Sequence, residues 1–439
     1  MRLTLSVLTF CILFALDAAR PVSAQGDTVE VKNRLTVGGY GEAVFSRHFY
    51  SDNVFRYSHA DRYKDAPAYS RLDLPHAVIM LGYDFGRGWS IGTEIEFEHG
   101  GVEAAVEKET EETGEFEQEV ERGGEVALEQ FWVQKSFGAY LNVRAGHIVV
   151  PVGMTNSNHL PTQFFGLFRP EGENTIMPCT WHETGVSLWG KADSWRYEVQ
   201  VLPALNSNFF NDAGWVHNGS ASPYEFRPAN SLACAARVDW IGIQGLRLSV
   251  SGYMGNTFNN DITTSIYPAT SRYYGAKGTL LIGCFDFAYK NHWLTVRGNV
   301  DYGHLDDASL ISTRNKNQTT MTGNPYPHTA VGESAWDASI EAGIDLFQIF
   351  GVNHSYNRTL GQPKLILFGR YDHYDSFVPA EGWTDVEWAE RQVVSAGVNY
   401  YPLPEIAIKA EGGVRLLASQ YNSEPYFAVG ITWAGFFKH

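Results

Sequence analysis

The sequence has few cysteines, a shortage of basic residues and, after its first 24 positions, no long apolar run. Three cysteines follow position 24, at Cys179, Cys234 and Cys284, which is too sparse a set for a disulfide framework. Lysine and arginine total 33 against 49 aspartates and glutamates, so nucleic acid is not an expected partner. Because no later segment offers the roughly 20 apolar residues of a membrane-spanning helix, and none keeps a helical period, the chain is predicted to be all-β.

The first 24 residues have the pattern of a secretory signal peptide. Arg2 precedes an apolar run over 3–16, and Val22-Ser23-Ala24 places compact residues before Gln25. The alternative is a buried N-terminal helix or a membrane anchor, but the apolar run is short for a bilayer. The sequence therefore predicts export with cleavage after Ala24, which leaves residues 25–439 as the mature chain.

Motifs for catalysis and for metal binding are absent. No Gly-x-Ser-x-Gly elbow or His-Glu-x-x-His spacing occurs, and the fourteen histidines are scattered, mostly in predicted loops. Cys179 and His182 share a loop, which by itself is weak evidence for a nucleophile. The prediction is a protein without catalytic residues, cofactor or metal ion.

Extended segments with period-two alternation run through the chain. In 89–98 the apolar side chains Trp89, Ile91 and Ile95 alternate with the glutamates Glu94 and Glu96, which indicates a strand with one apolar and one wet face. Sixteen such segments are predicted, at 35–45, 71–84, 89–99, 126–137, 141–150, 184–191, 195–204, 231–240, 245–255, 273–287, 293–302, 334–346, 363–374, 391–401, 405–416 and 425–437.

The connections between these segments alternate in length. The short ones are 86–88, 138–140, 192–194, 241–244 and 402–405, whereas 46–70, 100–125, 151–183, 205–230, 256–272, 303–333 and 375–390 are long; 347–362 is an exception on the short side. An even strand number with short periplasmic turns and long extracellular loops is typical of an outer-membrane barrel, and a sheet in lipid must close on itself.

Aromatic residues beside the short turns support a membrane setting, since Trp and Tyr prefer the level of the lipid headgroups. They are Phe85, Trp89, Phe137, Tyr140, Trp189, Trp195, Trp240, Trp293, Phe347, Tyr400 and Tyr401. The alternative is that they are ordinary core aromatics. The predicted fold class is all-β: a transmembrane antiparallel β-barrel of about 16 strands.

Several segments resemble the phosphate- and polyphosphate-selective porin family. They are the strand-turn-strand stretches 237–256, 367–376 and 394–413, and the stretch 142–154 followed by 182–190. The resemblance implies a sixteen-stranded, usually trimeric channel whose third long loop folds into the pore. Two departures stand out: in 151–183 Arg169 is the sole fixed cation against Glu171, Glu173 and Glu183, and the chain ends Phe437-Lys438-His439 rather than on an aromatic residue.

The predicted function is therefore that of a porin with broad selectivity. It is a passive diffusion channel for small polar or ionic solutes through a water-filled lumen, a homotrimer surrounded by outer-membrane lipid and lipopolysaccharide. The alternative is a surface adhesin or receptor barrel without significant conductance.

Alternation assigns charged residues to the predicted lumen. The expected pore-lining residues are Glu94, Glu96, Glu98, Arg144, Arg196, Arg237, Arg247, Lys277 and Arg297. The glutamates occupy strand three, and most of the cations occupy strands eight to eleven. One hypothesis is therefore that an acidic wall faces a basic wall and that a transverse electric field crosses the lumen. The other is that each arginine pairs locally and only rigidifies the wall.

Two long loops carry further expectations. In the candidate constriction loop 151–183, Phe164, Phe165, Phe168 and Trp181 are the expected anchors, and the residues expected to face the passage are Asn156, Asn158, His159, Arg169, Glu171 and Glu173. The alternative is an external loop packed on its neighbours or on a trimer partner. The acidic loop 100–125 is predicted to be a solvated extracellular face, with diffuse cation binding left open.

Overall fold

One antiparallel sheet that closes on itself dominates the protein. The computed structural model describes residues 34–65, 68–101, 107–108, 118–119, 125–222, 224–258, 260, 267–317, 328–352 and 362–438. The predicted signal peptide and most of the acidic loop lie outside these residues. The first and last strands pair, with Gly39 opposite Gly435 and His48 opposite Tyr426, and this pairing closes a barrel of sixteen strands.

The strands follow one another around the barrel in chain order. They are β1 (Leu35–His48), β2 (Tyr69–Asp73 and His76–Gly86), β3 (Trp89–Glu98), β4 (Glu125–Ser136), β5 (Asn142–Val149), β6 (His182–Ala192), β7 (Trp195–Pro203), β8 (Leu232–Ile243), β9 (Leu246–Asn256), β10 (Thr279–Lys290), β11 (Leu294–Leu305), β12 (Ser334–Asp345), β13 (Lys364–Val378), β14 (Glu390–Leu403), β15 (Ile406–Leu416) and β16 (Glu424–Lys438). Strand β2 is interrupted at Leu74-Pro75, since proline has no N–H for the ladder.

Helical segments are short and lie in the connections. They are α1 (Ala60–Tyr63), α2 (Met154–Ser157), α3 (Glu171–Ile176), α4 (Ala308–Lys316) and α5 (Leu346–Ile349), with 3-10 turns at Val54–Arg56, Ser207–Phe209 and His217–Ser220. A two-residue ladder joins Glu107–Lys108 to Gln118–Glu119. Within the described ranges, no helix has the length and apolarity needed to cross a membrane.

Side chains alternate between an apolar outer face and a polar inner face. Large apolar residues such as Ile91, Val250 and Ile431 are exposed on the outside, whereas inward-facing Glu94 and Asp286 are buried. A barrel whose outer face is apolar on every strand suits a lipid surround. The predicted fold class is confirmed, including the strand number.

The structure corrects two details of the prediction. Strand β10 begins at Thr279, six residues later than predicted, because Tyr273 packs beside Phe258 in the loop core and Gly278, at φ 56°, breaks the extended path. Among the aromatic residues beside short turns, Trp89 and Tyr140 are exposed outside, but Trp189 and Tyr401 face the interior.

An apolar core fills the long-loop end of the barrel on its β5–β12 side. Trp181, Phe210, Trp215 and Phe258, contributed by three different long connections, are buried there with Tyr253 of β9. Each of these aromatic side chains removes about 150–250 Å² of surface from water when it is buried. This burial holds the long connections inside the mouth of the barrel.

Candidate functional site

The connection between β5 and β6, residues 150–181 and here called the lumen loop, lies inside the barrel. On one side the Gly153 N–H donates to Ser251 Oγ of β9 at 3.0 Å, and Arg237 of β8 donates to the Gly153 carbonyl at 2.9 Å. On the other side the Leu167 N–H donates to Glu411 Oε2 of β15 at 2.7 Å. The loop therefore crosses the whole lumen between opposite walls.

Lys409 makes the main hydrogen-bonding contact between the loop and the β13–β15 wall. Its ammonium group, almost fully buried, donates to the carbonyl oxygens of Pro161, Phe164 and Gly166 at 2.6, 2.9 and 2.8 Å. An ammonium group has three donors, so each hydrogen of Lys409 meets a loop carbonyl. These bonds satisfy backbone oxygens that would otherwise be buried without a partner.

Neighbouring strands extend this attachment. Asn399 of β14 donates to the Phe165 carbonyl at 2.8 Å, and Arg370 of β13 donates to the Phe168 carbonyl at 2.9 Å. The Phe165 ring stacks on Phe368 with ring centroids 5.6 Å apart. Segment 161–168 is thus held by inward-facing side chains of three consecutive strands.

Glu171 fastens the next part of the loop. It accepts two hydrogen bonds from Arg415 of β15, at 2.6 and 2.8 Å, and one from the Tyr374 hydroxyl at 2.6 Å. Burial alone raises the pKa of a carboxyl group, but here the charge and hydrogen bonds of Arg415 outweigh it and lower the pKa of Glu171 to about 2. Glu171 is therefore an ionised anchor.

Two residues that the prediction places towards the passage are buried inside the loop's own packing. The Asn156 side chain donates to the Val150 carbonyl at 2.5 Å and accepts from the Trp181 N–H at 2.5 Å, which joins the two ends of the loop. Glu173 accepts from the backbone N–H groups of Met154 and Thr155 at 3.0 and 2.8 Å. A loop inside a barrel must satisfy its backbone groups locally, and these polar residues do so.

The remaining loop residues reach different walls. Asn158 accepts a hydrogen bond from Arg247 of β9 at 3.1 Å. His159 lies beside Glu94 of β3, with 3.9 Å between Nε2 and Oε1. Arg169 points towards β1–β4, where it interacts electrostatically with Glu129 and Glu96, and its Nη1 is 3.6 Å from Cys179 Sγ.

The arginines of β8, β9 and β11 are ion-paired with carboxylates of the same strand or of strands one or two places away. Arg237 binds Asp239 and Asp286, Arg247 binds the same Asp286, and Arg297 binds Glu341. At these three positions the ion pairs agree with the alternative of local pairing, whereas the acidic wall facing a basic one stays a hypothesis. Register explains the pairing, because Arg297 stands directly opposite Glu341 in the ladder.

The other predicted cations occupy different surroundings. Arg144 lies between the rings of Trp132 and Trp189, 4.7 and 5.6 Å from their centroids. Arg196 is exposed and lines a cavity of about 180 Å³ with Glu198. Lys277 was predicted to lie in the tenth strand, but it precedes β10 and is exposed.

The wall formed by β1–β4 carries a group of inward carboxylates, here called the carboxylate wall: Glu42, Glu94, Glu96 and Glu129. His76 of β2 donates to Glu96 at 2.5 Å, and its other ring nitrogen lies 3.8 Å from Glu42. Gln130 donates to Glu94, and the Tyr40 hydroxyl donates to Glu129 at 3.2 Å. Glu98, at the end of β3, is half-buried beside this group.

Sequence reasoning missed Glu129 because a β-bulge breaks the alternation of β4. The ladder pairs Glu94 with Gln130 and then Ile95 with Leu128, so Glu129 is an extra residue. Two successive polar residues between Leu128 and Phe131 were the signal available in the sequence. The bulge turns both Glu129 and Gln130 into the barrel.

Cavities lie at the two ends of the carboxylate wall. One of about 630 Å³ includes Glu42, His76, Arg169 and Cys179 in its lining, with Arg415 on its far side. The other, of about 520 Å³, is lined by β1–β4 residues that include Thr36, Ser90, Glu94 and Gln130. The part of the interior between them, here called the narrow section, is where His159 and Arg169 of the lumen loop lie beside the carboxylate wall.

Comparison with known proteins places the fold. No family model matches the sequence. The chain is 25% identical over 435 residues to an uncharacterized protein of Aquifex aeolicus (strain VF5). The alignment covers 95% of this chain and 84% of that protein.

Two solved structures share the architecture at low sequence identity. The anion-selective porin from Comamonas acidovorans aligns over 91% of this chain and 99% of its own with 12% identity and a TM-score of 0.50. Salmonella typhi OmpF, solved in complex with daunomycin, aligns over 93% and 99% with 10% identity and a TM-score of 0.53. The chain therefore has the fold of the outer-membrane porins.

Proposed function

We propose that this protein is an outer-membrane porin, a passive diffusion channel for small polar or ionic solutes. The observation that carries the proposal is the closed sixteen-stranded barrel with a polar inner face, which has cavities beside the carboxylate wall. The lumen loop closes the β8–β15 side of the barrel through its many hydrogen bonds. The β1–β4 side is the side on which water and solutes would pass.

The side chains of the narrow section account for selectivity. Carboxylates from β1, β3 and β4 lie beside Arg169 and His159 of the lumen loop there. Opposite charges across a narrow passage orient polar solutes. The charged groups also compensate a polar solute for the water that it loses on entry, whereas an apolar solute receives no such compensation. Because carboxylates outnumber the fixed cation Arg169, the passage should favour cations weakly.

Location and assembly belong to the same proposal. The apolar outer face and the porin fold support insertion into the outer membrane, surrounded by lipid and lipopolysaccharide. The resemblance to porin sequences supports a homotrimer, and the N-terminal pattern supports export with cleavage after Ala24. Molar mass in detergent and the N-terminal sequence of the mature protein test these two points.

Selectivity for phosphate, which the sequence resemblance implies, is not what we propose. In 151–183 Arg169 is the sole fixed cation, and the arginines of β8, β9 and β11 are neutralised by Asp286, Asp239 and Glu341. A phosphate site needs several converging unneutralised donors. We therefore expect a current that millimolar phosphate does not block.

The test is the zero-current potential of the purified protein in a planar bilayer under a KCl gradient. We expect conductance with a weak potassium preference, and Arg169→Gln should increase that preference because it removes the cation facing the carboxylates. The matched control is Arg62→Gln, which removes the same charge from exposed helix α1. Screening over about 8–10 Å should leave its potential unchanged.

The outcomes discriminate between the functions. Absence of conductance in correctly folded protein would refute the channel and favour the adhesin or receptor barrel. A strong chloride preference, or equal shifts in the Arg169 and Arg62 variants, would refute the assignment of the narrow section.

A further inference from the structure

We propose that Glu94, Glu129 and His159 form a binding site for a divalent transition-metal ion inside the barrel. They come from β3, β4 and the lumen loop, and one ligand atom of each lies within 4.8 Å of the others. The occupancy of this site does not depend on the channel proposal. Its effect on conductance, considered below, does rest on that proposal.

Two of the three ligand atoms are buried without a partner. Glu94 is 1% exposed, and neither its Oε1 nor His159 Nε2 has a hydrogen-bond partner within the described part of the chain. Buried acceptors in native proteins are nearly always satisfied, since an unsatisfied one costs about 1–3 kcal/mol. These two atoms lie 3.9 Å apart, close enough for a single ion to contact both.

The remaining polar atoms of the three residues are held in the orientation that a metal site requires. His159 Nδ1 lies 3.0 Å from the Asn156 carbonyl oxygen. A carbonyl can only accept, so Nδ1 is the donor of this bond, and Nε2 is the ring nitrogen that faces the carboxylates. A backbone carbonyl on the far nitrogen is the usual support of a metal-binding histidine.

The two carboxylates are supported in the same way. Gln130 donates to Glu94 Oε2 and leaves Oε1 for a ligand. The Tyr40 hydroxyl donates to Glu129 Oε2 at 3.2 Å, and the Tyr40 ring contacts the His159 ring edge-on at 6.0 Å. Glu94 and His159 therefore each have one held atom and one atom without a hydrogen-bond partner in the described structure, and Glu129 is held through Tyr40.

The β-bulge in β4 is what completes the donor set. Without the extra residue, Gln130 alone would follow Leu128 on the inner face, and the cluster would have one carboxylate and one imidazole. Bulges often re-aim side chains at functional sites. Here the bulge adds Glu129, and Gln130 remains to support Glu94.

The donor set indicates the class of ion. One imidazole and two carboxylates suit Zn²⁺, which binds three protein ligands and leaves a fourth position open. With bonds of about 2.0–2.2 Å, tetrahedral neighbours lie roughly 3.4 Å apart, so the cluster must contract by about 1 Å. The fourth position would be left for a water or a solute.

Arg169 sets a limit on affinity. Its guanidinium interacts electrostatically with Glu129, and its Nε and Nη2 are buried without hydrogen-bond partners among the described residues. A cation at the site is repelled by this charge. Arg169→Gln should therefore tighten zinc binding several-fold, an effect opposite to that of losing a ligand.

Equilibrium dialysis of metal-stripped full-length mature protein in detergent, against buffered Zn²⁺, tests the site. We expect saturable binding of one ion per chain that Glu129→Gln and His159→Gln each weaken at least tenfold. Matched controls are Glu125→Gln, an exposed carboxylate at the start of β4, and His292→Gln, an exposed histidine in a short turn. Heat-modifiable electrophoretic mobility verifies that each variant is folded.

Several results would overturn the inference. The first is that the protein binds no zinc saturably. The second is that the ligand variants and the control variants lose zinc affinity equally. The third is that zinc binding survives His159→Gln but is lost in His76→Gln. The last would place the ion at the neighbouring group of His76, Glu96 and Glu98. Loss only in His182→Gln would place it at the His147–His182 pair, whose ring nitrogens are 2.5 Å apart.

Conductance separates this inference from the proposed function. If the protein is a channel, Zn²⁺ should reduce its potassium current, and Glu129→Gln should abolish the reduction. Zinc binding without any current would refute the channel and leave the site standing. Current without zinc binding would refute the site and leave the channel standing.

Discussion

Replacing Lys409 with methionine tests what holds the lumen loop in place. The Lys409 ammonium group is almost fully buried and all three of its hydrogens are donated to loop carbonyls. Methionine has a similar length and volume and no charge. The substitution therefore removes three charge-assisted hydrogen bonds and changes the packing little.

The magnitude follows from two opposing terms. Each hydrogen bond to a charged group contributes about 1.5–3 kcal/mol, and the loss of three leaves the oxygens of Pro161, Phe164 and Gly166 buried without a donor. Burying the ammonium group itself costs several kcal/mol, which the variant no longer incurs. We expect a net loss of about 3 kcal/mol in loop docking, or roughly a hundredfold in the local opening equilibrium.

Hydrogen–deuterium exchange resolves this effect within the protein. Peptides covering 161–168 should exchange roughly a hundredfold faster in Lys409→Met, and peptides from β15 should stay protected by their ladder. Lys290→Met, an exposed lysine at the end of β10, is the control and should match the wild type. Unchanged protection of 161–168 in Lys409→Met would refute the idea that this lysine holds the loop.

Two further predictions concern charge pairs. Because the pKa of Glu171 is lowered to about 2, its contribution of roughly 3 kcal/mol should be fully present above the unfolded pKa near 4.3 and lost as pH falls towards 2. Unfolding temperatures between pH 6 and 2 should fall more steeply for wild type than for Glu171→Gln, and parallel curves would contradict this. Arg237→Gln leaves the buried Asp286 with Arg247 alone and should cost about 3–5 kcal/mol in urea unfolding, whereas exposed Arg196→Gln should cost under about 1 kcal/mol. Similar losses would show that Arg237 has no special role.

The strands were predictable from the sequence because alternation is a local signal. In 89–98 the spacing of Trp89, Ile91 and Glu94 decides both the strand and its faces, and the structure agrees. The same signal gave sixteen strands in order, since each outer face meets an apolar surround and each inner face a polar one. It was wrong at 273–278, where Tyr273 alternates like a strand residue but packs in a loop core.

The interior of the barrel was harder to predict because its contacts join distant parts of the chain. Alternation along β15 turns Lys409 inward, but nothing local shows that it meets Pro161, 248 residues away. Asn156 looks like a solvent-facing polar residue, and only the closure of the loop on Trp181 shows that it is structural. Alternation gives the face of a side chain but not its partner.

The two halves of the barrel wall use their charges differently. On β8–β15 the charged side chains stabilise the structure: Arg237 and Arg297 bind carboxylates, and Lys409 binds the lumen loop. On β1–β4 the inward charges are mainly carboxylates, and Glu94 keeps an oxygen without a hydrogen-bond partner in the described structure. An ion pair neutralises its own field, whereas carboxylates that outnumber the nearby cations leave a net negative field in the lumen. Substitutions on the first wall should therefore change mainly stability, and those on the second should in addition change selectivity and metal binding.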